Sequence, residues 1–298
     1  MKLQTILENA ARTSGKKVAV ASAEDIEIIN MILMAQNLSM AEFILFGDEE
    51  GIHSLLQEKN AVMGHIKVVH ASSHKEAAEL AVKAVSSGEA DVLMKGGLPT
   101  GVLMKEVLHK EYGLRTGKVL SHVAVFEVPA CDRLLFLTDV AMNVDPDLQQ
   151  KVQILQNAVH TANRLGLPLP KAVPIAAVEL VNPSMQATLD AAALTQMNRR
   201  GQILNCLIDG PMALDVAVSE EAARHKGVSG EVAGKADILL MPNMEAGNVF
   251  YKSLVYFAQG KVGGLIAGAK APIVLTSRSD SAESKLYSLA TAICTSES

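Results

Sequence analysis

The chain has 298 residues, 27 basic and 32 acidic, for a formal charge of −5, a size that suits one large domain or two ordinary ones. Hydrophobic residues make up 49% and charged residues 20%, which provides for a sizeable core and excludes a disordered chain. With six Phe, four Tyr, no Trp and an acidic balance, it lacks the basic footprint and stacking platforms of a nucleic-acid binder.

In chain order, Met1-Lys2-Leu3-Gln4-Thr5 leads into no apolar signal core. Lys17–Ala21 reads as a strand, Asp25–Asn37 as a helix, and Glu42–Phe46 as a strand ending at the turn pair Gly47-Asp48. Ile66–Val69 is a strand, Ser73–Val85 a helix stopping at Gly88, and Ala90–Met94 a strand. Val119–Val128 and Leu134–Leu137 are apolar runs joined by Pro129-Ala130-Cys131-Asp132-Arg133, a link too short for a helix, so an antiparallel hairpin is expected. Pro170–Leu180 reads as a strand, followed by a helix to about Arg200, with Asn182 or Ser184 as cap and Pro183 in its first turn. Leu204–Asp209, Asp237–Met241 and Pro272–Thr276 are further strands. Near-continuous apolar strands alternating with helices predict an α/β fold, mostly parallel sheet with helices on both faces.

Val262–Leu275 is interrupted by Lys270, and Ala172–Val181 by Pro174 and Glu179, so both fall short of the roughly 18 apolar residues of a membrane span. Cys131, Cys206 and Cys294 are an odd number without CxxC spacing, which suits reduced thiols in a cytoplasm. A soluble, cytoplasmic protein is expected.

Several motifs fail. No GxGxxG, HExxH or GxSxG occurs, and Gly113–Val119 has too few residues between its glycines, and no hydroxyl after Lys118, for a P-loop. Asp139, Asp145 and Asp147 lack a calcium-loop glycine and read as a polar turn. No metal site is expected.

Three segments look like loops that hold an anion. Lys95-Gly96-Gly97-Leu98-Pro99-Thr100-Gly101 joins a strand to a helix, where backbone N–H groups and the helix N-terminus attract negative charge; Lys105 follows one turn later. Thr276-Ser277-Arg278-Ser279-Asp280-Ser281 ends another strand in hydroxyls and an Arg suited to two parallel bonds with phosphate. Glu245–Lys252 supplies Gly247, Asn248 and Lys252 after a third strand, and Gly260–Gly268 adds four glycines. A large anionic ligand spanning several loops would explain the set.

At these segments the chain resembles the phosphate acetyl/butyryltransferase family. The resemblance runs nearly end to end and is carried by Asp91–Gly97, Val125–Pro129, Thr138–Asn143, Asp209–Asp215, Val232–Asp237, Glu245–Lys252 and Thr276–Arg278. Within the family, the compact length and Ser277-Arg278-Ser279-Asp280 resemble the butyryl branch, since the acetyl enzymes typically carry Ser-Arg-Gly there. The resemblance implies a two-domain fold like the isocitrate and isopropylmalate dehydrogenases with the active site in the interdomain cleft: 1–140 plus 276–298 as one α/β domain, 141–275 as the other. It implies reversible transfer of a short acyl group, butyryl preferred, between CoA and inorganic phosphate, in butanoate metabolism. It further implies no cofactor beyond CoA as substrate, and a homodimer or higher homo-oligomer. Acetyl transfer is the near alternative. A metal- and NAD-dependent hydroxyacid dehydrogenase and a non-catalytic CoA-binding protein are the readings from other classes.

Residue by residue, Ser277 and Arg278 match the family's acyl-phosphate-binding Ser-Arg, Thr100 matches a loop hydroxyl, and Lys105 falls, after a one-residue gap, where acetyl enzymes carry a phosphate-binding Arg. The acetyl enzymes place an Asp base where this chain has Ser284, leaving Glu283 and Asp280 as nearby substitutes. Catalysis is therefore expected of Arg278, Ser277 and Glu283, and substrate binding of Thr100, Lys105, Gly96, Gly97, Gly247, Asn248 and Lys252. Direct transfer in a ternary complex is expected.

Overall fold

The structure is a computed structural model that describes residues 1–13, 15–61, 63–277 and 280–297. The first run of elements is α1 (Leu3–Arg12), β1 (Lys17–Ala21), α2 (Ile26–Asn37), β2 (Glu42–Gly47), α3 (Glu49–Glu58), β3 (Ile66–His70), α4 (His74–Ser86), β4 (Val92–Lys95) and α5 (Thr100–Val107). Next come β5 (Ser121–Glu127), β6 (Leu135–Thr138), α6 (Leu148–Arg164), β7 (Lys171–Pro174), α7 (Gln186–Arg199), β8 (Leu207–Ile208), α8 (Leu214–Val218), α9 (Glu220–His225), β9 (Ile238–Leu240) and α10 (Met244–Tyr256). The chain closes with β10 (Lys261–Ala267), β11 (Ile273–Val274) and α11 (Ala282–Thr295).

Two compact units result, 3–118 with 262–298 and 119–261 with 1–2. The expected divisions, 1–140 plus 276–298 and 141–275, run later on both crossings. The difference has a pairing cause: β5 belongs with β6 in the middle unit, and β11 with β4 in the other.

In the unit of the chain ends the strands run β3-β2-β1-β4-β11-β10, all parallel except β10, which runs antiparallel to β11. The chain steps outward from β1 to β3, then crosses back to place β4 on β1's other side. That reversal is the switch point where open α/β sheets leave a crevice at the strand carboxyl ends. Val18–Ala21 and Val92–Met94 are wholly buried, as expected of strands covered on both faces. Asp25 accepts from the N–H groups of Glu27 and Ile28 to start α2, and Ser73 from Glu76 to start α4. β10 packs against α11, where a Cβ on Gly263 would meet the Tyr287 backbone at 2.7 Å. The glycines at 263 and 264 thus lie within a buried strand and not on a ligand loop.

The middle unit orders its strands β5-β6-β9-β7-β8. The expected hairpin forms, with Val125 opposite Phe136, and the other pairs are parallel. α6 begins with a capping box in which Asp147 and Gln150 satisfy each other's backbone N–H. The helix expected from Asn182 begins four residues later. Asn182 Oδ1 instead accepts from Ser184 N–H in a local turn, and α7 starts after Met185 with no capping side chain. The strand expected over 170–180 stops at Pro174. Among the described residues no helix is long and apolar enough to cross a membrane.

Candidate active site

β4 and β11 are neighbouring parallel strands, with Val274 opposite Met94. Two of the expected segments, Lys95–Gly101 and Thr276–Asp280, therefore leave the same edge of the sheet side by side. The sequence does not place them together; the crossover from β10 through β11 does.

The first loop is fixed from two sides. Gly96 and Gly97 donate their N–H groups to the carbonyls of Ala21 and Ser22, at 2.8 and 2.7 Å. A Cβ on Gly96 would lie 2.0 Å from the Ser22 carbonyl oxygen, so glycine is what allows this approach. Buried Lys95 turns its ammonium back onto the carbonyls of Gly96 and Leu98, at 3.1 and 3.3 Å. The two glycine amides are thus bound to β1 rather than offered to a ligand, and the anion-binding feature moves onward to α5. That helix is N-capped by Pro99, which has no capping side chain, and Thr100, Gly101 and Lys105 are exposed. The first amides of that helix have the helix dipole behind them, and Lys105 follows one turn after Gly101.

In the second segment the described residues bond to one another. Ser277 donates its N–H to Asp280 Oδ2 at 2.7 Å, and the Asp280 carbonyl accepts from Lys285 Nζ. Ser281 caps α11 by accepting from Ser284 N–H at 3.2 Å. Ser284, the position of the family's Asp, is thus taken into a serine cap. Glu283, in the first turn of α11, accepts from the Tyr287 hydroxyl at 3.0 Å. Arg278 lies outside the described residues.

Gly247, Asn248 and Lys252 are on α10 in the middle unit. A Cβ on Gly247 would sit 2.5 Å from the Asp139 carbonyl oxygen, and Asn248 Nδ2 donates to the Val140 carbonyl at 3.3 Å. Both residues seat α10 on the turn after β6, and Lys252 is exposed. Asp139 organises that turn: its carboxylate accepts from the N–H groups of His122, Ala141, Met142 and Asn143 and from Asn143 Nδ2. The acidic triplet is structural, as its sequence suggests, since Asp147 is the cap of α6. Among the described residues no group of three His, Cys, Asp or Glu could hold a metal. Burial pushes the Cys206 thiol up to about 11, leaving it almost wholly protonated at neutral pH.

Three residues at this edge carry no motif. Ser22, His74 and Glu24 meet beside the first loop, with Ser22 Oγ 2.9 Å from His74 Nδ1 and Glu24 Oε1 3.9 Å from the same nitrogen. Only the helix start at Ser73 hints at His74's position.

Helix-end amides, an ammonium and a hydroxyl at the switch-point edge of a parallel sheet make a site for a small anion such as phosphate. Comparison with known proteins gives the family. Residues 72–293 match the family model described as phosphate acetyl/butaryl transferase. A probable phosphate butyryltransferase of Bacillus subtilis (strain 168) is 55% identical over the whole chain and 99% of its own length. The phosphate butyryltransferase of Clostridium acetobutylicum is 52% identical over 93% of this chain and 92% of its own, and the phosphate acetyltransferase of Thermotoga maritima 47% over 97% and 98%. A branched-chain phosphotransacylase from Enterococcus faecalis V583 superposes with a TM-score of 0.84 at 38% identity, over 94% of this chain and 99% of that one.

Proposed function

The chain belongs to the phosphate acetyl/butaryl transferase family and is a phosphate acyltransferase, and we propose that it moves a short acyl group, butyryl by preference, reversibly between CoA and inorganic phosphate. The observation that carries this reading is the α5 N-terminus, uncapped by any side chain, set beside the Ser277 turn by the pairing of β4 with β11.

In the direction of acyl-phosphate formation, a phosphate oxygen attacks the thioester carbonyl, the C–S bond breaks, and the CoA thiolate leaves and takes up a proton. In reverse, the thiol loses its proton and attacks the acyl phosphate, and the C–O bond to phosphate breaks. The α5 amides, Thr100, Lys105, Ser277 and Arg278 hold the phosphate group, which is charged in both directions, and the Arg278 guanidinium also offsets the oxyanion charge of the tetrahedral transition state. Gly96 and Gly97 contribute by fixing the loop. An alkyl thiol such as that of CoA titrates no lower than a cysteine side chain, about 8.5, and is mostly protonated at neutral pH, so its attack gains from a base. Glu283, six residues beyond Ser277 and in the first turn of α11, takes that part, since a serine stands at 284. Lys252, with Gly247 and Asn248 seating its helix, offers an ammonium to the anionic groups of CoA. No cofactor is required beyond CoA as substrate, and the enzyme works in the cytoplasm as a homodimer or larger homo-oligomer.

Each methylene buried is worth about 0.8 kcal/mol, so neighbouring short acyl groups are accepted with reduced preference. The test is phosphorus NMR of the purified protein with inorganic phosphate and butyryl-CoA, with acetyl-CoA in parallel. An acyl-phosphate resonance growing faster from butyryl-CoA supports the reading. A faster acetyl reaction would reassign the acyl group, and no acyl phosphate from either donor would refute the activity.

A further inference from the structure

The loop that leads to α5 is held from behind by residues to which the proposed reaction assigns no part. Ser22 follows β1 in the left-handed backbone region, φ 54°, and is wholly buried. Few non-glycine residues occupy that region, and they stay there only where the surroundings dictate it. Two contacts do so here. The Ser22 carbonyl accepts the Gly97 N–H at 2.7 Å, and the Ser22 hydroxyl lies 2.9 Å from His74 Nδ1.

His74 is the first residue of α4, and that helix does not depend on it. Ser73 supplies the cap, and the imidazole is 53% exposed, so it adds little buried area. What the imidazole does is link the start of α4 through Ser22 to Gly97, three residues before α5. We infer that His74 is a positioning residue of this enzyme: through the Ser22 hydroxyl it holds the left-handed turn whose carbonyl sets Gly97, and so aims the amides of α5 at phosphate. The inference rests on the reading of α5 and Lys105 as the phosphate site.

The experiment compares His74→Ala, His74→Asn, Ser22→Gly and Lys105→Ala, varying phosphate at saturating butyryl-CoA and then the reverse. Misplacing a binding loop weakens what it binds, so His74→Ala should raise the KM for phosphate about tenfold, with the KM for butyryl-CoA within about twofold and kcat within about threefold of wild type. His74→Asn, whose amide can replace Nδ1 as a hydrogen-bonding partner, should return the phosphate KM to within about threefold of wild type. Ser22→Gly keeps the left-handed turn but loses the hydroxyl, so it should repeat the His74→Ala pattern. It also carries the test if His74→Ala does not fold. A phosphate KM unchanged in His74→Ala and Ser22→Gly, but raised in Lys105→Ala, would overturn the inference and leave the phosphate site standing. A lower kcat with every KM unchanged would also overturn it. An unchanged phosphate KM in Lys105→Ala would remove the reading of the site, and the inference with it.

Discussion

Gly96 shows how a single position can shape a proposed site without touching substrate. Its missing Cβ is what lets the backbone after β1 close on the loop after β4. Gly96→Ala should therefore destabilise the protein by about 1–3 kcal/mol, the usual range for overpacking, and lower phosphate-dependent turnover at least about tenfold. Urea unfolding and initial rates check the two effects, and wild-type values in both would disprove the close approach. Asp237 makes a second residue-scale case, this one electrostatic. Burial raises its pKa above the ordinary carboxylate range, against the backbone N–H of Lys171 and the charge of Arg133. A carboxyl raised on folding adds stability while protonated, and that contribution is lost as pH rises through the raised value. Relative to Asp237→Asn, wild type should lose stability as pH rises from about 4, the ordinary Asp value, in urea titrations; a pH-independent difference would contradict the shift.

At the scale of elements, α10 depends on the turn after β6. Gly247 lets the helix sit against the Asp139 carbonyl, Asn248 bonds the next carbonyl, and Asp139 gathers five donors. Asp139→Ala would take the shared, buried acceptor away from these partly buried donors and should cost about 2–4 kcal/mol, measurable as a lower urea midpoint. A loss below about 1 kcal/mol would mean that water replaces the carboxylate at little cost. The strands and helices with local signals were readable from the chain: Asp25 and Ser73 cap the helices expected after them, and the short Pro129–Arg133 link does close a hairpin. The start of α7 was not readable, because Asn182 spends its side chain on a local turn, a choice that residue type leaves open. The Gly260–Gly268 run was misread for a related reason. A glycine tolerated for packing against a helix, as Gly263 is against Tyr287, looks in sequence like one that admits a ligand.

On the scale of the whole molecule, the family was legible from motifs scattered along the chain, while the assembly of the phosphate loops was not. Lys95–Gly101 and Ser277 are about 180 residues apart, and only the insertion of β11 beside β4 joins them. Ser22 carries no signal and His74 only that of the helix start at Ser73, since the role proposed for them arises from one turn and one hydrogen bond. Direct transfer, the course proposed for the reaction, is also tested on the whole catalyst. Burial keeps the Cys206 thiol protonated, and direct transfer uses no protein thiol, so a variant with Cys131, Cys206 and Cys294 all replaced by Ser should keep its rate within about threefold of wild type. A trapped acyl-cysteine in wild type, or loss of activity in a folded triple variant, would contradict this. The central claim is that a phosphate site at the α5 and Ser277-Arg278 loops performs acyl transfer. It is tested most directly by thiol release from butyryl-CoA at varied phosphate, wild type beside Arg278→Ala. The account predicts saturable phosphate dependence in wild type and a rate lower by about 10²–10³ in the variant, the scale of one preorganised electrostatic donor. Thiol release independent of phosphate, or Arg278→Ala within about tenfold of wild type, would contradict it.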